Sequence, residues 1–304
     1  MYTIITLPTT STLSDGIAST LAAMSVKEPG ILETKMWLPN KKPIFDMLEE
    51  SRPSYVIADC DAVPDMTKAL KEFPDTKLIL LGNTPCSHAE LIPDFWGVSP
   101  GISKIILKNS AAKKTVEIEP AAALALYNRG EKIDSYGVDL VYIANSLNIL
   151  DGELDMLSIM SSLAHSFRII GYHRPFLQYV GQANTVEMSN YLASAKIVID
   201  TNKRTLYDAG AQEGFALSTV ENKYYPCLLK DGELDTDYII STTKEWLDRD
   251  ISRKKMGKAI KKKVLESDTY FHRVSDIFSS MGDDNLAKSA LSTLETLLKD
   301  MQNV

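Results

Sequence analysis

The sequence predicts an α/β protein of two parallel-sheet domains followed by C-terminal helices. Short unbroken apolar runs alternate with amphipathic or small-residue helical stretches, which is how fully buried parallel strands and their crossover helices read. That alternation restarts after a polar, Gly-containing stretch at 128–136, where a hinge between two similar domains is expected. From Thr242 onward the pattern is largely helical. The expected domains are therefore 1–135 and 136–282, with 283–304 a last helix that packs back on the first.

Taken in order, YTIITL is a buried strand, PTTSTLSDG a polar loop carrying Asp15, and IASTLAAM a helix. LETKMWL alternates apolar and polar residues as a strand does, KPIFDMLEE is an amphipathic helix, and YVIAD is a short core strand ending on Asp59. A helix from about Met66 to Phe73 leads to the strand KLILLG, so strand and helix alternate as in a doubly wound sheet. NTPCSHAELIPDFWG then reads as a long connection at a strand end, and such loops are often functional. SKIILK is a further expected strand, and TVEIEP a closing one. In the second half GVDLVYIANS is a strand, 150–164 a helix and FRIIGY a strand.

Composition bounds the function. With 44% hydrophobic and 24% charged residues in 304, the chain is long enough for two ordinary globular domains. No apolar run approaches the roughly 20 residues that span a bilayer, and MYTIITLPTT lacks the layout of a signal peptide. No membrane insertion and a cytoplasmic location are expected. Cys60, Cys86 and Cys227 are far apart and odd in number, and the four histidines have no ligand spacing, so neither a disulfide framework nor a structural metal site is expected. The net charge of −7 disfavours a generally polyanion-binding surface. RDISRKKMGKAIKKK, at 249–263, is a local exception: a solvated helix face, or a binding surface for the phosphates of a large acceptor.

The stretch Tyr179–Thr219 organises the second half. It holds a small-residue helix (VEMSNYLASA), the strand KIVID, the turn TNKRT, a helix (LYDAGAQEG) and the apolar FALST. Ligands of open α/β sheets collect at the carboxyl ends of strands, and a helix N-terminus there attracts anions. Asn202, Lys203 and Arg204 lead into that helix, which points to a phosphate-bearing ligand.

YLASAKIVID followed by RTLYDAGAQEGFAL resembles the donor domain of GT-B glycosyltransferases, especially the CgeB-like and family 1-type branch with its R-T-F-E-A signature. The resemblance covers roughly Val138–Met281, and the first domain only in architecture. It implies two Rossmann-like domains facing each other across a cleft, the first on the acceptor side, the second holding a nucleotide-diphosphate sugar. The sugar is a co-substrate, with no tightly bound cofactor and no metal. Arg204 falls where the family meets donor phosphate, with Thr205 beside it, and Asp208 where the family carries the glutamate that accepts from ribose hydroxyls. Asn145, Ser146 and Asn148 occupy the loop after the first donor strand, and Gly171 and Tyr172 end the second. IANSLN lacks the family's glycine turn.

A catalytic base would come from the strand ends of the first domain. Asp15, His88, Asp59 and Asp61 are the candidates, as carboxylates or an imidazole suited to proton abstraction. Each also reads as an ordinary turn or surface residue. Some relatives carry aspartate directly after the strand corresponding to LILLG, where Asn83 stands here, so the base has moved or the mechanism is retaining. The acceptor is a hydroxyl on a glycan, small molecule, protein or hydroxymethylated DNA base, DNA being kept among them by the basic helix. The competing readings are a non-catalytic nucleotide-binding GT-B scaffold and an unrelated two-domain α/β binding protein.

Overall fold

A computed structural model describes residues 1–7, 12–38, 41–59, 66–82, 92–100, 112–124, 130–200 and 202–302. The chain divides into two compact units, one of Met1–Pro120 with Tyr270–Val304, the other of Ala121–Thr269. These bounds differ from the expected 135 and 282. Ala122 pairs in parallel with Thr269, and its N–H donates to the Asp268 carbonyl at 2.8 Å, which ties both crossing segments into the second unit.

The first unit is built on a six-stranded parallel sheet of β1 (Tyr2–Thr6), β2 (Leu32–Met36), β3 (Tyr55–Asp59), β4 (Lys77–Leu81), β5 (Phe95–Val98) and β6 (Thr115–Glu117), in the order β2-β1-β3-β4-β5-β6. Alternate strand residues face opposite sides. Ile5, Val56, Ala58, Leu78, Leu80, Trp96 and Val98 bury against α2 (Ile44–Ser51) and α3 (Met66–Lys71) through Ile44, Leu48 and Leu70. α1 (Thr12–Lys27) packs against α9 (Tyr270–Ser280) and α10 (Asp284–Gln302), and Tyr55 meets Phe278 edge-on at 5.1 Å. Gly16 is needed there, since a methyl group on it would lie 2.3 Å from the Tyr270 ring.

Three expectations change. α1 starts at Thr12, so Asp15 lies in its first turn rather than in a loop. β5 forms across the end of the stretch read as a long connection, its strand residues all buried. α9 packs with the first unit, so the returning segment begins at Tyr270 instead of 283. The expected strand SKIILK, together with His88, Asp61 and Asn83, lies outside the described residues.

The second unit holds β7 (Leu140–Ala144), β8 (Phe167–Gly171), β9 (Tyr179–Gly181), β10 (Ile197–Asp200) and β11 (Ala216–Ser218), all parallel, in the order β11-β10-β7-β8-β9. Counted within the unit this is 5-4-1-2-3, the doubly wound order of dinucleotide-binding sheets. Its helices are α4 (Glu153–Leu163), α5 (Thr185–Ser194), α6 (Lys203–Ala211), α7 (Thr236–Asp248) and α8 (Asp250–Ser267). α5 starts at a capping box, Asn184 accepting from the Glu187 N–H while Glu187 accepts from that of Asn184. A two-stranded hairpin, β12 (Leu229–Lys230) with β13 (Glu233–Leu234), lies ahead of α7.

Candidate functional site

In each sheet one pair of neighbouring strands sends its connections in opposite directions, and the crevice beyond their carboxyl ends is the usual ligand position. In the second unit the pair is β7 and β10. Asn145 follows β7, and its Nδ2 donates to both carboxylate oxygens of Asp200, at 2.8 and 2.9 Å, and to Thr205 Oγ1 at 3.1 Å. Asp200 ends β10 fully buried, and Oδ1 also accepts the Asn202 N–H at 2.9 Å. One carboxylate thus ties together the ends of two strands and the start of α6.

Asn202 is the cap of α6, its side chain accepting from the Arg204 N–H at 2.9 Å. A first helical turn has no intrahelical acceptors for its N–H groups. Here the cap takes one of them, and the helix dipole favours an anion beside the rest. Lys203 is half-buried at the same end.

The loop after β7 is held from below. Arg174 (1% exposed) forms an ion pair with Glu153 (2%), and its other nitrogens donate to the carbonyls of Ser146 (3.0 Å), Asn148 (3.4 Å) and His173 (3.0 Å). Glu153 Oε2 accepts from the Leu150 N–H at 2.9 Å. Burial, then the charge and hydrogen bond of Glu153, push the Tyr142 hydroxyl pKa up. Two buried charges therefore fix a loop whose outer side chains, from Asn145 to Leu150, are exposed.

Gly171 joins β8 to this arrangement. Its φ of +106° and an Ala144 carbonyl 2.4 Å from where a Cβ would stand leave room for glycine alone. That carbonyl accepts from the Tyr172 N–H at 2.9 Å, and the Tyr172 ring is partly exposed beside the loop.

Arg204 and Asp208 face inward. Arg204 is 7% and Asp208 4% exposed, with Nε 3.6 Å from Oδ2. Asp208 Oδ1 accepts from the Ala123 N–H at 2.7 Å. Burial pushes the Asp208 carboxyl pKa up to about 6, against the opposing pull of Arg204 and the Ala123 N–H. The residues expected to meet phosphate and ribose thus spend contacts on each other and on the segment entering the unit.

In the first unit the corresponding strand pair is β1 and β3. Asp59 ends β3 with 3% exposure, and Asp15 stands half-buried in the first turn after β1. Both are thus at the carboxyl end of that pair. Sequence reasoning missed Asp200, Glu153 and Arg174. The last two are distant in sequence, and nothing local marks them as partners. Among the described residues no group of three or more His, Cys, Asp or Glu side chains is arranged to hold a metal ion, and no helix is long and apolar enough to cross a membrane.

No family model matches the chain, and no curated protein matches it. Solved structures do. A glycosyltransferase from Rickettsia africae superposes with a TM-score of 0.64 at 13% identity, over 98% of this chain and 99% of its own. Sucrose-phosphate synthase from Thermosynechococcus elongatus gives 0.61 at 8% identity over the whole of both chains. UDP-GlcNAc 2-epimerase from Neisseria meningitidis, bound to UDP-GlcNAc, gives 0.52 at 10% identity, over 97% and 100%. The chain has the GT-B fold, with two Rossmann-like domains and C-terminal helices.

Proposed function

We propose that this chain is a glycosyltransferase that moves a sugar from a nucleotide-diphosphate donor to a hydroxyl acceptor. The observation that carries the reading is the Asn145–Asp200–Thr205 knot at the β7/β10 strand ends, beside the start of α6. The diphosphate would lie at the α6 N-terminus, with Lys203 supplying positive charge at the same end and the Thr205 hydroxyl as a donor. Asp200, an acceptor-only group already committed to Asn145 and Asn202, would act by positioning them. Arg204 and Asp208 would support the helix start from inside. Ser146, Asn148 and Tyr172 would border the nucleotide. The base would be Asp15 or Asp59.

The donor is a co-substrate, and no tightly held cofactor or metal enters the reading. Membership of the CgeB-like branch and a cytoplasmic location belong to the same proposal. Epimerases share this fold, and the fold neighbour crystallised with UDP-GlcNAc favours a second reading, a nucleotide-sugar epimerase or a non-catalytic nucleotide binder.

A thermal-shift screen with UDP, GDP, ADP, CMP and their sugars tests it, because a ligand that binds only the native state adds about 2.7 kcal/mol at a hundred times its Kd. A shift with one nucleotide sugar, lost in Asn145→Ala, is expected. No shift with any of them would overturn the donor site. Donor turnover without acceptor-dependent product would favour the second reading.

A further inference from the structure

The segment 249–263 carries eight basic residues and one acid, a net +7 in a chain whose total is −7, so the remainder carries −14. That asymmetry is concentrated on one side of α8. Arg253, Gly257, Ile260 and Val264 are its buried face. Lys255, Lys258 and Lys262, three and four residues apart, stack on the opposite face, and all three are exposed. Along the axis they span roughly 10 Å at 1.5 Å per residue.

The helix is seated firmly. A methyl on Gly257 would lie 2.6 Å from the Glu213 carbonyl, and one on Gly210 of α6 would lie 2.9 Å from Ile260 and 3.0 Å from Val264. Arg253 donates to the carbonyls of Trp246 and Leu247, closing the corner between α7 and α8. The lysine stripe is thus held on the same helix that packs against α6, the helix opening the proposed donor site.

Five of the eight basic residues lie within ion-pair distance of a carboxylate, Arg249 with Glu245 at 2.8 Å and Arg253 with Asp250 at 3.0 Å among them. Lys254 pairs with Asp250 at 2.7 Å, and Lys261 lies 3.6 Å from Glu213. Lys262 and Glu266 are 3.9 Å apart and both well exposed, a pairing worth little. Among the described residues Lys255 and Lys258 have no carboxylate within ion-pair distance.

We propose that the Lys255–Lys258–Lys262 face of α8 binds the phosphodiester backbone of a nucleic-acid duplex. This names the class of acceptor-bearing partner and rests on the glycosyltransferase reading. Three features favour a duplex over other polyanions. Ile251 is the one large apolar side chain on this face, and the helix's apolar side is packed inward, so little remains to insert into lipid. Exposed acids bound the stripe at both ends, Glu245, Asp248 and Asp250 before it and Glu266 after it. A broad anionic plane would meet those acids, whereas a rod lying across the helix meets the lysines. No aromatic side chain stands among the lysines to stack unpaired bases, as single-strand binders provide.

The test is fluorescence anisotropy of a labelled duplex of about 25 base pairs, titrated with the full chain at several salt concentrations without donor. Wild type is expected to bind, with log affinity falling against log salt at a slope of about −3 to −4. K255E/K258E/K262E should lose at least tenfold in affinity. The milder K255Q/K258Q/K262Q, which keeps the fold if charge reversal does not, should flatten the slope by about 3. K41E/K288E/K299E, exposed lysines elsewhere, should bind like wild type. Absence of duplex binding, equal loss in both reversal variants, or capture by phosphatidylserine vesicles without duplex binding would each overturn the proposal. Donor-induced thermal shifts are read separately, so this failure and that of the donor site remain distinguishable.

Discussion

Arg174 and Glu153 form an ion pair that is almost wholly excluded from solvent, and between them they hold four backbone groups of the loops after β7 and β8. Taking two charges out of water costs more than their attraction returns unless hydrogen bonds satisfy the remaining positions. Here the carbonyls of Ser146, Asn148 and His173 and the Leu150 N–H supply them. Arg174→Met would leave the Glu153 carboxylate buried alone, at a cost on the order of 3–5 kcal/mol. R174M/E153L should be the more stable of the two, since no uncompensated charge remains. Guanidinium unfolding midpoints check both. A single variant within about 1 kcal/mol of wild type would contradict the role given to the pair.

Gly171 and Gly181 separate backbone strain from steric exclusion. Both have positive φ, +106° and +101°. A Cβ on Gly171 would lie 2.4 Å from the Ala144 carbonyl, whereas one on Gly181 would meet nothing within 4 Å. Gly181→Ala should cost about 1 kcal/mol of backbone strain. Gly171→Ala should cost about 1–3 kcal/mol more and should also weaken nucleotide binding, because the same carbonyl holds the Tyr172 N–H. Melting temperatures in the presence and absence of nucleotide separate the two effects.

Much of the fold is legible because buried parallel strands leave unbroken apolar runs. YVIAD, KLILLG, LVYIA and KIVID all form where they read. The missed elements are those whose signal is short or masked. β5 has four residues within a proline-containing stretch, and TLSD at the start of α1 is polar enough to read as loop. The Asp231-Gly232 pair, with φ of 53° and 89°, forms a hairpin turn whose signal is two residues long. The candidate site was legible as a strand end and a helix start. Which side chains meet there was not, because Asn145 and Asp200 are brought together by strand order, and strand order has no local signature.

Asp208 should leave a trace in the pH dependence of stability. Its folded pKa, about 6, lies above the unfolded value of 3.8, so the native state binds the proton more tightly. Stability falls with rising pH wherever the native state holds more protons than the unfolded one. The Asp208 contribution is therefore fully present below about pH 4 and lost as pH rises through 6. Relative to Asp208→Asn, wild type should lose about 2 kcal/mol between pH 4 and pH 7. Urea unfolding of both proteins across that range measures the difference. A constant difference would mean that the carboxyl is not perturbed by burial.

Asp15 and Asp59 can be told apart by their surroundings. A general base must first reach the proton it abstracts, and the proper pKa comes second. Asp59 is 3% exposed at the end of a strand buried on both faces, while Asp15 is half-buried in the first turn of α1. Asp15→Asn should therefore lower kcat by about 10²–10⁴ with little change in donor KM, the signature of a group used in the transition state. Asn145→Ala should do the reverse, raising donor KM at least about tenfold through lost ground-state binding. Asp59→Asn should act mainly on stability. Steady-state kinetics with the donor identified by thermal shift distinguish the three. Full activity in the Asp15 variant would remove it as the base, and a retaining mechanism without an enzyme base would then account better for the chemistry.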